Sequence, residues 1–425
     1  MQSYFFIKKS TAFSLLSFSF VNAIAHAQVH APSAKEATFS YEASFVLESP
    51  TYNPEDDAAL HLSHLFGIFK SPEYVQSYGL DSDRVSGIGV PRIPAKIKVQ
   101  SVEENEDGSV TVSYGASGIL LLENRVAKKL LKNGNLTVPM PFEMAKIYNE
   151  KCTDHHYNTL GDYWYFYDIF RKGCEYLQKN PYSKKVKILI GDMKPAKLEP
   201  SPRLDLLRGD NDNGELFSIY VIHGFAESFK DPRDDGRKNF NDFNKSLRSW
   251  GFQGRYGDRV SVVQKDVADA DRKKKFTVEV RHFLVESSIT SKGESFAKFF
   301  KQAVEKADVL IYGGHSGLGG NLDIPSLEQK VGDFEFNPKK RQIFYFDSCS
   351  SYSYYLEPFR SKKRKSKIDV ITNGLESYFH LSGSVLDNLI TLLIDPSNNP
   401  SWAEVLESME APLEGGSYLL NVGGV

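Results

Sequence analysis

Residues 215 to 395 carry the feature that most narrows the fold. Short apolar runs suited to buried strands alternate there with stretches of helical period. "FSIYVIHGF" reads as a strand, "NFNDFNKSLRSWGF" as an amphipathic helix, "FTVEVRHFLV" as a strand and "GESFAKFFKQAVEKA" as a helix. "DVLIYGG", "RQIFYFDS" and "KIDVITNG" supply three more strands, and "GSVLDNLITLLI" a further helix. Strands separated by helices predict an α/β architecture, a mostly parallel sheet with helices on both faces. Sheets of this kind place their chemistry at the carboxyl ends of the strands.

The N-terminal half has a different pattern. "ATFSYEASFVL" alternates, and "AKIKVQSVEENEDGSVTVSYGASGILLL" reads as a hairpin turning at Glu106-Asp107-Gly108. "AALHLSHLFGIF" is a helix between them. Its His61 and His64 stand at i, i+3, but with no third ligand in sight they read as a packed helix face. Residues 28 to about 37 look like a flexible start. After "VKILIGDM" comes a stretch rich in Pro, Gly and Asp. The expected layout is a β-rich domain over 38–200, a linker over 201–214 and the α/β domain over 215–425.

The first 27 residues stand outside this layout. Lys8 and Lys9, an apolar stretch and Ala25-His26-Ala27 follow the three-part plan of a secretory signal, with cleavage after about Ala27. The stretch is short and rich in Ser, which disfavours a membrane anchor. A secreted or periplasmic protein is expected, with no transmembrane segment. The formal net charge of -2 argues against a dedicated nucleic-acid binder.

Export changes the meaning of the cysteines, of which there are three. In an oxidising compartment near neighbours tend to pair, so Cys152 and Cys174 are expected to form a disulfide that staples an aromatic-rich segment. The competing reading is a metal site of Cys152, His155 or His156, and Cys174. The disulfide is preferred, and no metal or cofactor is expected. Cys349 is then an unpaired thiol in an exported chain, which needs a reason.

Two reaction centres compete for the α/β domain. In "GGHSGLGGN" Ser316 follows His315, as in a serine hydrolase whose partner acid and His380 would come later in the chain. A nucleophile elbow is G-x-S-x-G. Here Leu318 stands where the second glycine belongs, and the following Gly-rich stretch is poor helix material. The cysteine reading uses more of the sequence. "VLIYGGHSG" brings His315 to the end of one strand and "IFYFDSCSS" brings Cys349 to the end of the next. Neighbouring strands lie about 4.8 Å apart. A thiol near an imidazole ionises more easily, its thiolate attacks carbonyls, and the imidazole protonates the leaving amine. The small residues around both leave backbone N–H groups free for an oxyanion hole. His223, ending the first strand, is a rival base or a support for the site.

These two motifs resemble the caspase-like cysteine peptidases: caspases, legumains, gingipains, separases and clostripain. The Cys-Ser-Ser at 349–351 looks most like the separase and gingipain versions, and the likeness covers roughly residues 215–395. It implies a caspase-like sheet domain and a secreted endopeptidase acting on protein or peptide substrates. His315 would be the proton carrier and Cys349 the nucleophile. The oxyanion donors would be the N–H of Cys349 and that of Ser316 or Gly317. Ser316 stands where the family has Gly. The strand after the cysteine often lines the specificity pocket in the family, which nominates Asn373, Glu376 and Ser377. An alternative of another class is a caspase-like module without catalysis, binding a partner or a component of the cell envelope. The basic run "RSKKRKSK", 360–367, is expected to be an exposed loop, open to processing.

Overall fold

The computed structural model describes residues 28–159, 161–193, 200–207, 215–269, 274–287 and 294–424. The expected export signal, 1–27, and part of the expected linker, 208–214, lie outside them. The described residues begin with strand β1 (Gln28–His30), so the stretch expected to be a flexible start is ordered into the fold, and continue through β2 (Ala34–Leu47), β3 (Gly89–Pro91), β4 (Lys96–Glu104), β5 (Val110–Glu123), β6 (Asn135–Pro141) and β7 (Ser183–Asp192). Strands β2 to β7 form an antiparallel sheet built on the long β2–β5 pair, with the expected hairpin between β4 and β5. Helix Pro54–Lys70 packs on it, capped by Asn53, with Pro at its start and three acidic residues in its first turn. His61 and His64 are fully buried on this helix. His61 bonds the Tyr114 hydroxyl at 2.6 Å and the Pro141 carbonyl at 2.7 Å, so both histidines belong to the core.

The second sheet has nine strands: β1 and β8 (Leu216–Gly224), β9 (Gln253–Arg255), β10 (Val260–Asp269), β11 (Lys274–Val285), β12 (Val309–Gly313), β13 (Gln342–Asp347), β14 (Ile368–Thr372) and β15 (Asn421–Gly423). Their order is β1-β15-β14-β13-β12-β8-β11-β10-β9. The five central strands, β14 to β11 in that order, are parallel; β1 and β15 on one side and β10 and β9 on the other are antiparallel. The sheet is therefore mixed, not mostly parallel. The antiparallel additions are short, or carry alternating charge, so they leave little mark in the sequence.

The central strands are buried on both sides, which is why they read as continuous apolar runs. All six residues of β13 are buried. Tyr220, Leu310, Phe344 and Val370 face one layer of helices, which includes Glu294–Lys306. Ile219, Val221, Ile311 and Tyr345 face the other, made by Asp235–Ser249, Phe379–Ile394 and Trp402–Glu410. The first apolar layer continues without interruption into the N-terminal sheet, so the two halves share one core. The segment 200–207 is packed rather than a free spacer: Leu204 and Leu207 are buried, and the Pro200 carbonyl accepts the Trp402 N–H at 3.0 Å. Among the described residues no helix is long and apolar enough to cross a membrane.

Candidate active site

In order of appearance the parallel strands lie second, first, third, fourth, fifth across the sheet. The crossovers change face between the first, β8, and the third, β12. At such a switch the carboxyl ends open a crevice where ligands settle. His315 lies two residues beyond β12 and Cys349 two beyond β13. The paired register of Gly313 with Asp347 sets both at the same level on neighbouring strands. His315 is exposed and Cys349 is half-buried with a free thiol.

Beyond this common rim the two side chains have different partners. His315 Nε2 donates to the Ala226 carbonyl, beyond the end of β8, and its ring meets the edge of Phe379 at 5.2 Å. That bond fixes the proton on Nε2 and leaves Nδ1 as the basic nitrogen. The groups that act on the thiol, Glu376 and the Ser377 N–H, come instead from the loop that follows β14. No hydrogen bond joins the thiol and the imidazole among the described residues. Burial pushes the Cys349 thiol up to about 11; the Glu376 carboxylate adds to this, while Lys70 and the Ser377 N–H oppose it. In this state the sulfur holds its proton.

The backbone after the cysteine is sharply turned. Ser350 has φ 54° and ψ 28°, the left-handed conformation, which costs a non-glycine residue about 1–2 kcal/mol. The turn is held by Ser350 N–H to the Leu375 carbonyl at 3.1 Å and by a 3.2 Å bond between Ser350 Oγ and the Tyr165 hydroxyl. Ser351 Oγ, bonded to the Phe346 carbonyl at 2.7 Å, accepts the Asn373 N–H at 2.8 Å and ties the turn to β14. On the histidine side, Gly317 at φ 56° has no room for a side chain: a Cβ would stand 2.5 Å from Asn321 Oδ1. Among the described residues the N–H groups of Ser316, Gly317 and Cys349 have no hydrogen-bond acceptor, so all three expected oxyanion donors are free.

Of the three pocket candidates, Glu376 alone lies beside the thiol as a charged group, half-buried. Asn373 is not at a pocket surface. Its Nδ2 is buried between Asp347 Oδ1 at 2.9 Å and Ser377 Oγ at 2.7 Å. Ser377 Oγ also donates to Asp347 Oδ1 at 2.7 Å, so these two side chains serve to hold a buried carboxylate under the rim. Lys70 and Tyr165 carry no signal that sequence reasoning could have found. Both come from the N-terminal half, lie buried beside the Cys349 turn, and follow no motif.

The other candidates fall away from the rim. His223 is buried beneath it, sharing a 2.6 Å hydrogen bond with His282 Nε2, and burial holds its imidazole neutral, down to about 3. Ser316 is buried at φ −80° and ψ −26°, without the strained turn of an elbow nucleophile, and a short 3-10 turn follows it instead of a helix. His380 is exposed, with its ring against Tyr378 at 5.8 Å. Cys152 and Cys174 are joined as a disulfide, which excludes a metal site on their sulfurs. The basic run 360–367 is partly folded in: Lys363 is buried and donates to the Lys340 carbonyl at 2.5 Å and to Gln342 Oε1 at 2.7 Å. No protein-family model and no curated protein matches the chain.

Proposed function

We propose that this chain is an exported thiol hydrolase of peptide bonds, with Cys349 as nucleophile, His315 as proton carrier and a caspase-like sheet domain. One observation carries the reading: a free thiol and an exposed imidazole leave neighbouring parallel strands at the same level, beside the crevice of the strand-order switch. Three unpaired N–H groups on the same two loops supply the donors that a tetrahedral oxyanion needs. The Cys152–Cys174 disulfide fits an oxidising compartment, and with it the export signal.

In this mechanism the His315 ring gives up the Ala226 carbonyl and turns Nδ1 toward the thiol. Nδ1 takes the sulfur's proton, the thiolate adds to the substrate carbonyl, and the imidazolium passes the proton to the departing amine. Water then hydrolyses the thioester, with the imidazole as base, and regenerates the thiol. Catalytic contacts in unliganded enzymes are commonly loose, so the open geometry is compatible with a dyad that closes on substrate.

The test is hydrolysis of a denatured protein and of fluorogenic peptides by the mature chain. Cleavage that disappears in both Cys349→Ala and His315→Ala supports the reading; cleavage that survives Cys349→Ala refutes it. A second reading, a binding module without catalysis, is favoured by the imidazole bonded away from the sulfur and the protonated thiol. It predicts no cleavage by any of the three proteins.

A further inference from the structure

One buried charge beside the thiol has no part in the mechanism above. Lys70 ends helix Pro54–Lys70, and only 2% of its side chain is exposed. Its Nζ lies 3.5 Å from Glu376 Oε1, 3.5 Å over the centre of the Tyr165 ring and 5.2 Å from that of Phe166. An ammonium has three N–H donors, and a single carboxylate oxygen at this range serves one of them weakly. The ring faces take part of the charge. A lysine so deep costs free energy unless something nearby needs its charge.

Both holders of Lys70 lead to the nucleophile. The Tyr165 hydroxyl bonds Ser350 Oγ at 3.2 Å, one residue after Cys349. Glu376 lies between Leu375, whose carbonyl takes the Ser350 N–H, and Ser377, whose N–H is turned to the sulfur. Ammonium, carboxylate and thiol thus share one cluster, buried at Lys70 and half-buried at Glu376 and Cys349, assembled from both halves of the chain. The other ionisable groups within electrostatic reach of the sulfur are Asp347 and the hydroxyls of Tyr157, Tyr165, Tyr312, Tyr354, Tyr355, Tyr378 and Tyr418. Burial holds those hydroxyls neutral; it also lowers Lys70 from its ordinary value, while Glu376 and Cys349 act in the other direction, so the positive charge of the cluster belongs to Lys70 and is held there by these two partners.

We propose that Lys70 is the positioning residue for Cys349: its ammonium, fixed by Glu376 and the Tyr165 ring, is the counter-charge beside which the thiolate forms. The thiol proton still leaves to His315; Lys70 keeps its own protons and touches no substrate. The inference rests on the thiol-hydrolase reading for its purpose, but its test needs no hydrolysis.

The experiment follows alkylation of Cys349 by iodoacetamide in the full, disulfide-bonded chain from about pH 6 to about pH 11, read by mass spectrometry. Lys70→Met and Lys70→Gln both remove the charge at similar volume, so the result is taken from whichever keeps the wild-type near-ultraviolet circular dichroism. The midpoint of the profile moves up, and the rate at a pH below it falls about tenfold. Lys70→Arg returns the charge and brings the profile back toward wild type. An unmoved or lowered midpoint in the uncharged Lys70 variants, the behaviour of a lysine that merely plugs the pocket, overturns the proposal. Failure of the hydrolase reading is distinct: wild type then cleaves no peptide while the shifts in alkylation remain.

Discussion

The turn that carries Cys349 is moored to the N-terminal sheet by one buried carboxylate, and removing that charge should loosen both. Glu36 on β2 is 4% exposed. It bonds the Arg92 guanidinium and the Tyr352 hydroxyl, and Tyr352 belongs to the short helix that follows the cysteine. Arg92 Nε also donates to the Tyr352 hydroxyl at 3.0 Å, and His30 on β1 lies 3.5 Å from the carboxylate. Burial alone raises a carboxyl. Here His30, Arg92 and Tyr352 more than offset it and hold Glu36 at about 2 against an ordinary 4.5. That gap corresponds to about 3 kcal/mol of stability at neutral pH. Because the folded value lies below the unfolded one, the contribution is complete above about pH 4.5 and drains away as the pH falls toward 2. Glu36→Gln should therefore lose about 3 kcal/mol at pH 7, in the range for a broken buried pair. The deficit should shrink steadily between about pH 4.5 and pH 2. Equilibrium urea unfolding at a series of pH values reads this, with the fluorescence of Trp164, Trp250 and Trp402 reporting on both halves. A deficit under about 1 kcal/mol, or one independent of pH over that window, would refute the clamp.

Three further expectations follow from the packing. Serine at both Cys152 and Cys174 opens a loop of sequence separation 22 and should cost about 3 kcal/mol in urea unfolding, with no loss meaning that the loop is held by its aromatic contacts alone. Gly67→Ala places a Cβ 2.2 Å from the Tyr167 backbone nitrogen, which cannot give way, so the melting temperature should fall by several degrees; an unchanged value would contradict the close contact of this helix with the aromatic segment. Lys340 Nζ pairs with buried Asp308 at 2.8 Å, so Lys340→Met should destabilise by about 3 kcal/mol and the added Asp308→Asn should recover part of it, whereas additive losses would mean the two charges are not coupled.

What the sequence disclosed follows from how each element is buried. The strands β8, β11, β12, β13 and β14 are covered on both sides and announce themselves as apolar runs. β9 and β10 hang on an edge, where "VSVVQKDVAD" mixes apolar and charged residues, and β1 and β15 are three residues each, too short for any period. The positions of His315 and Cys349 on neighbouring strand ends were legible because strand order follows from chain order when connections are short. The partners of their side chains were not, since the Ala226 carbonyl and the Ser377 N–H come from the loops that follow β8 and β14. Lys70 was hidden for the same reason. A lysine ending a helix ordinarily complements the helix dipole in solvent. Its burial comes from Tyr165 and from Glu376, 306 positions away in sequence.

In the proposed mechanism Cys349 attacks acyl groups with help from His315. Its most direct test is the intact mass of the mature chain after incubation with peptides bearing an electrophilic ketone at the scissile position. One adduct per chain is expected, on the Cys349 sulfur, formed far more slowly in His315→Ala. No adduct in wild type, or one formed as fast without the imidazole, would contradict it.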